Sequence, residues 1–197
     1  MSMPEVVRAT SSDHAAVRAT VTLAFAADPV NRWYLRDAAS YLKYFPKVVD
    51  VFLTPSIESG GCFMTKDRTG AALWFPPGVT ADEETANAIF GDACPPDLQD
   101  EFGAFMAGIE SFHPHDEDCW YLPIVGVDPA YQGTGIGGAI MKAANAHIDE
   151  NGDLSYLEAS SESNAALYAR HGFEVLGEVQ IGSSPVARPM LRQRQTR

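Results

Sequence analysis

The chain has 197 residues and 21.3 kDa, with 46% hydrophobic, 20% charged and 10% aromatic residues; this suits one globular domain, able to bury roughly 70% of its unfolded surface. A formal net charge of -12 argues against a nucleic-acid scaffold, whose phosphates require clustered Lys and Arg, and favours a cationic small molecule. Cys62, Cys94 and Cys119 are odd in number and lack a C-x-x-C, and neither an apolar run of about 18 residues nor an export leader occurs; a cytoplasmic chain without membrane span, disulfide framework or zinc ribbon is expected.

In chain order, residues 5–9 are short and β-branched and read as a strand. Ser11, Ser12 and Asp13 then supply an N-cap and a first-turn acid for a helix with Val17, Val21, Ala24 and Phe25 on one face, stopped at Asp28-Pro29. A second helix carries Tyr41, Leu42, Phe45, Val48, Val49 and Phe52 at the same period; it either kinks or begins at Pro46. CFMTK and AALWF, joined by Asp67-Arg68-Thr69-Gly70, read as a hairpin with glycine at the turn exit. Thr80 or Asp82 caps a helix through Phe90, and Pro96 or Asp97 another through Glu110. His113-Pro114-His115 and Asp116-Glu117-Asp118 lead to a nearly all-apolar strand over residues 120–127, which the pattern makes central. A helix over about residues 135–150, ended by Asn151-Gly152, and a strand at Leu154–Ala159 complete one β-loop-α-β unit. His113, His115, Asp116 and Cys119 lack a matched second half for a metal site, and no metal is expected. The final RQRQTR reads as a basic, solvated tail, placed at about residues 190–197.

The loop between strand and helix, DPAYQGTGIGG, admits two phosphate signatures. Gly133, Gly135 and Gly138 spell the dinucleotide pattern G-x-G-x-x-G, with Glu158 about 20 positions on. Gln132, Gly135 and Gly137 spell Q-x-x-G-x-G. A dinucleotide fold places its first glycine at the strand end and needs further βαβ units; here five residues intervene and only about 40 follow the next strand. The second reading is therefore preferred. It predicts that Gly135 and Gly137 tolerate substitution least, while Gly138 accepts alanine.

Downstream, Asn164 caps a short helix through Arg170, and His171-Gly172-Phe173 turns it into a strand. The set V-G-V-D-P-x-Y-Q-G-x-G-I-G followed by S-x-x-x-N-x-x-L-Y-x-x-x-G-F resembles the GCN5-related N-acetyltransferase (GNAT) superfamily. FAADP, HPHDEDCWYL and the closing Arg188-Pro189-Met190-Leu191-Arg192 are most similar to its puromycin N-acetyltransferase-like branch. The resemblance implies one α/β domain over residues 1–197, with a mixed, mostly antiparallel sheet splayed at the cofactor strand and flanked by helices. It implies acetyl-CoA as cofactor and direct transfer to a small primary amine such as an antibiotic, polyamine or amino acid, in a monomer or homodimer. It also places the acceptor pocket between Asp28 and Phe112.

The loop residues suit a pyrophosphate: glycines let backbone N–H groups turn inward, and the following helix aims its positive end at the same point. The amides of Gln132, Gly133, Thr134, Gly135, Ile136 and Gly137 are assigned to it. By resemblance, Val125, Gly126 and Val127 pair with the pantetheine arm, Gly126 marks the bulge that opens the sheet, Asn164 contacts the arm, and Tyr168 donates to the departing thiolate. With a tyrosine pKa of about 10 against roughly 8.5 for a thiol, full transfer is uphill by about 2 kcal/mol, so hydrogen bonding is expected to outweigh protonation. Glu158 is the first choice for the base that deprotonates the amine, with Asp116, Glu117 and Asp118 behind it. Asp28, Trp33, Tyr34, Asp118 and Glu158 are the acceptor-binding candidates. Two rivals are a non-catalytic acyl-CoA sensor and a nicotinamide-dependent oxidoreductase.

Overall fold

A computed structural model describes residues 4–114 and 118–195. Strands β1 (Val6–Arg8), β2 (Cys62–Thr65), β3 (Gly70–Phe75), β4 (Cys119–Val127), β5 (Leu154–Ala159), β6 (Glu174–Val175) and β7 (Arg188–Arg192) form one seven-stranded sheet in the order β1-β2-β3-β4-β5-β7-β6. Every neighbouring pair is antiparallel except β4 and β5, which are parallel because a helix connects them. Seven α-helices accompany the sheet among the described residues: α1 (His14–Ala24), α2 (Pro29–Tyr34), α3 (Ala38–Glu58), α4 (Glu83–Ala93), α5 (Gln99–Glu110), α6 (Ile136–Asn151) and α7 (Glu162–Ala169). This is the single-domain α/β fold with a mixed, mostly antiparallel sheet that the sequence leads one to expect.

Period-2 burial on β3 divides the core. Ala71 and Leu73 face α1 and α3 together with Val17, Val21, Phe45 and Val49, whereas Ala72 and Trp74 face α6 with Ile140, Met141 and Ala144. Gly70 stands at the turn exit as expected, as the first residue of β3, and also serves this second layer. A Cβ there would lie 2.8 Å from Ile136 Cγ2 and 2.9 Å from Ile140 Cδ1, and the left-handed turn residue is Arg68 at φ 63°.

Several caps differ from expectation by a few residues. Thr10, not Ser11 or Ser12, opens the first helical run, with its amide and hydroxyl both donating to the Asp13 carboxylate at 3.1 and 2.9 Å. Helix α1 ends at Ala24, before Asp28-Pro29 is reached; that pair instead starts the next helix, because Asp28 accepts from the Asn31 amide at 3.0 Å and Pro29 needs no partner in the first turn. Helix α3 runs unbroken from Ala38 through both Pro46 and Pro55, so it does not begin at Pro46. Leu42, whose carbonyl Pro46 cannot serve, is 65% exposed and not part of the apolar face. Ser161 rather than Asn164 caps α7, accepting from the Asn164 amide at 3.2 Å.

The C-terminal strand also departs from the reading of residues from about 190 onward as tail. Met190 and Arg192 are buried within β7, and Arg192 donates to both Asp149 oxygens at 2.6 and 2.9 Å and to the His171 carbonyl at 3.1 Å. One guanidinium thus ties α6, the turn after α7 and the sheet together.

Candidate acyl-transfer site

The parallel pairing of β4 and β5 runs from Cys119–Leu154 to Leu122–Leu157 and stops there. Two features of β4 explain the stop. Pro123 has no N–H to continue the ladder, and β4 carries one extra residue against β3, whose partners jump from Leu73–Ile124 to Phe75–Tyr121. This bulge, at Leu122-Pro123, turns Leu122 and Val125 onto the α6 face while Ile124 packs with α1 and α3. Meanwhile Glu158 and Ala159 pair with Pro189 and Arg188 of β7, drawing β5 away. The sheet therefore forks.

The bulge had been expected at Gly126. That residue instead pairs regularly with Ala71, and it must be glycine because a Cβ would come within 2.7 Å of Ala24 Cβ on α1. The amide of Asp128 donates to the Thr69 carbonyl, which makes Gly70–Val127 and Ala72–Val125 non-hydrogen-bonded pairs. The main-chain groups of Val125 and Val127 consequently point into the fork, away from β3, while those of Gly126 are taken by β3.

At the end of β4, Gln132 Nε2 donates to the Val127 carbonyl at 3.1 Å and Thr134 Oγ1 to the Tyr131 carbonyl at 2.6 Å, shaping the loop. Gly133 and Gly135 are left-handed at φ 76° and 91°, and both would leave a Cβ in open space. None of the backbone N–H groups from Gln132 to Gly138 donates to another group among the described residues. An exposed set of donors thus converges on the start of α6, a geometry suited to an anion. Gly137 and Gly138 are different: both have ordinary helical backbone, and a Cβ would sit 3.5 Å from Leu167 or 3.6 Å from His171. Conformational demand falls on Gly133 and Gly135, so the expectation for Gly137 lacks a backbone basis.

A cavity of about 140 Å³ occupies the fork, lined among others by Pro123, Val125, Asp28, Glu158, Asn164 and Tyr168. Asn164 Nδ2 donates to Ser160 Oγ at 3.3 Å, and Ser160 Oγ donates to Asp28 Oδ2 at 2.5 Å, so α7, the end of β5 and α2 are bonded in series around it. Tyr168 is 6% exposed, and burial, with Asp28 and Glu158 nearby, pushes its phenol well above the ordinary value. It can donate a hydrogen bond here but is poorly suited to giving up its proton.

Glu158 lines this cavity and also a second, larger cleft of about 1110 Å³ beyond it. Tyr121 donates to Glu158 Oε2 at 3.2 Å, while Oε1 is buried without a hydrogen-bond partner among the described residues. Burial raises the carboxyl to about 7, the hydrogen bond from Tyr121 opposes this, and Glu110 adds to the rise. A carboxylate poised at this pKa, with one oxygen held by Tyr121 and the other buried without a hydrogen-bond partner among the described residues, suits proton abstraction near neutral pH.

The larger cleft is walled by the loop after β3, by α4 and by α5, with Asp118, His113 and Cys119 at one end. Most of this wall falls within residues 28–112, where the resemblance places an acceptor pocket, with His113, Asp118, Cys119, Tyr121 and Glu158 added from beyond it, but two of the named residues sit elsewhere. Tyr34 is buried against Phe90 and Phe102 with its hydroxyl on Asn31 Oδ1 at 3.1 Å, and Trp33 packs on Phe105 with Nε1 donating to Ser183 Oγ at 3.0 Å. Neither lines the cleft or the fork cavity. His115, Asp116 and Glu117 lie outside the described residues. Tyr121, Tyr156 and Ser160 were missed. The alternation of Tyr156 and Glu158 with Leu157 and Ala159 was a legible hint of a shared face, whereas Tyr121 joins them only through the β4–β5 register.

A mixed sheet that forks beside a glycine loop and a helix N-terminus is consistent with a GNAT-like fold. The sequence model of the family described as Acetyltransferase (GNAT) domain matches residues 99–175. A Corynebacterium glutamicum structure described as histone acetyltransferase HPA2 and related acetyltransferase is similar over 100% of this chain and 99% of its own, at 24% identity and a TM-score of 0.74. Drosophila melanogaster polyamine N-acetyltransferase is 15% identical over 96% of this chain and 99% of its own, with a TM-score of 0.65. For Aedes aegypti arylalkylamine N-acetyltransferase 2 the values are 14%, 96%, 98% and 0.61. No helix among the described residues is long and apolar enough to cross a membrane.

Proposed function

We propose that this protein is an acetyl-CoA-dependent N-acetyltransferase acting on a small primary amine through a ternary complex. The observation that carries the reading is the position of Glu158, shared between the fork cavity and the larger cleft. The fork, with the main-chain groups of Val125 and the Val127 N–H directed into it, would take the amide-bearing arm of CoA as an added strand; the Val127 carbonyl is already met by Gln132 Nε2. The amides of residues 132–137 would hold the pyrophosphate and Asn164 the arm. When bound, CoA supplies the acyl thioester. Glu158 Oε1 would accept the proton of an amine arriving from the larger cleft, and Tyr168 would hydrogen-bond the sulfur as negative charge develops there. The raised phenol pKa supports donation rather than full transfer. Asp28 would hold Ser160 and Asn164 in place rather than touch the acceptor.

Cys119 lines the larger cleft, so its replacement bears on direct transfer. Turnover that survives Cys119→Ala speaks for direct attack, and its loss in a folded variant for an acyl-enzyme. FAADP and HPHDEDCWYL support the puromycin N-acetyltransferase-like branch. The main test is thermal stabilisation by acetyl-CoA and NADH with a free-thiol release assay over several amines. Stabilisation by acetyl-CoA alone together with thiol release is expected. Stabilisation without release from any amine would favour an acyl-CoA sensor, and stabilisation by NADH alone the oxidoreductase.

A further inference from the structure

The larger cleft has an aromatic wall with a direction. Phe52 of α3 stacks on Phe75 of β3 with ring centroids 6.0 Å apart and planes 26° from parallel. Phe75 meets Tyr121 of β4 edge-on at 6.2 Å, and Tyr121 meets His113 edge-on at 4.8 Å. All four line the cleft, and the series ends where the Tyr121 hydroxyl donates to Glu158. These spacings fall in the range at which rings attract one another; Phe75 is only 3% exposed and backs the wall, so a further ring finds its packing surface on the half-buried Phe52 and Tyr121 that flank it.

Charge adds the second half of the pattern. Glu83, Glu110, Asp118 and Glu158 line the same space, against Arg194, whose Nη1 donates to the Gly152 carbonyl. A volume of about 1110 Å³ is at the upper end of clefts for drug-sized ligands and exceeds the needs of a short linear amine. A linear polyamine would gain little from ring faces. A free amino acid would bring its own carboxylate into an acidic cleft.

We propose that the acceptor is a primary amine borne on an aromatic body, the ring lying along Phe52 and Tyr121 and the amino group reaching Glu158. This rests on the acetyl-transfer reading above. The test compares phenethylamine, spermidine and alanine in the thiol-release assay with the full chain, and follows phenethylamine binding to the CoA-loaded protein by ligand-observed NMR. The expected result is a kcat/KM for phenethylamine about 10-fold or more above the others. Phe52→Leu should lower it about 3- to 10-fold through KM, several-fold more than it lowers spermidine turnover, with the acetyl-CoA thermal shift unchanged. Phe52 is chosen because it is only half-buried; Phe75→Leu, with its fold checked by circular dichroism, serves as the second variant. Preference for spermidine or alanine, or an equal effect of Phe52→Leu on all amines, overturns the proposal. Absence of phenethylamine binding overturns it whether or not other amines react. Binding that Phe52→Leu weakens, without turnover of any amine, sinks the acetyl-transfer reading and leaves the aromatic-amine site standing.

Discussion

Glu158 carries the clearest consequence at the residue scale. Its carboxyl is raised to about 7, so the rate should rise with pH through an acid limb centred near that value. Glu158→Gln should abolish the limb and lower kcat about 10²- to 10³-fold. Tyr121→Phe removes a hydrogen bond that favours the ionised form, so the limb should move to higher pH; an unmoved limb would rule out Tyr121 as the group holding Oε2. The same shift bears on stability. The native state keeps this proton at pH values where an ordinary glutamic acid loses it, so its contribution is complete below about 4.5 and fades as pH rises through about 7. Denaturant midpoints should therefore fall over that window in the parent chain and fall less in Glu158→Gln. Tyr168→Phe should lower kcat about 10²-fold with acetyl-CoA affinity within 2-fold, because the phenol's part is confined to the charge that develops on sulfur. Parallel losses in kcat and affinity would make Tyr168 a packing residue.

At the scale of elements, the start of α6 and the fork of β4 from β5 do most to define the site. Left-handed backbone costs an L-residue about 1–2 kcal/mol, and Gly133 and Gly135 both adopt it. Gly135→Ala should weaken acetyl-CoA binding about 10-fold or more, by isothermal titration, since the strain is relieved only by turning the loop amides away. Gly138→Ala should bind within about 2-fold of the parent, because its Cβ meets only an ordinary contact. If Gly138→Ala were the weaker binder, the register of the phosphate loop would be wrong. The motif around these glycines was legible because loop chemistry is local. Which of them must be glycine was not legible, because Gly70 and Gly126 answer to α6 and α1 packed above them, contacts distant in sequence. The same holds for the fork: Pro123 stands plainly in the sequence, but its effect depends on β7 drawing Glu158 and Ala159 to its own side.

At the scale of the whole molecule, a net charge of -12 meets an anionic cofactor. The proposed loop opposes this with oriented amides rather than lysines, which puts the favourable field within a few ångströms and leaves the repulsion long-ranged. Salt screens the second more than the first. Acetyl-CoA affinity should accordingly strengthen, about 2- to 3-fold, when ionic strength rises from about 0.01 to 0.1 M; a steep loss would point to a cationic side chain in the cofactor site. The β-loop-α-β unit and the glycine loop were readable from periodicity, turn chemistry and spacing within a few tens of residues, whereas the single α/β domain and the Asn164–Tyr168 pair came through the resemblance to the GNAT superfamily. Tertiary structure alone decided where the sheet forks, that Glu158 stands between two cavities, that Asp28 is bonded into the frame, and that Trp33 and Tyr34 are core. Each of these depends on strand register or on helices meeting across the sheet, and no local pattern in the chain records such contacts.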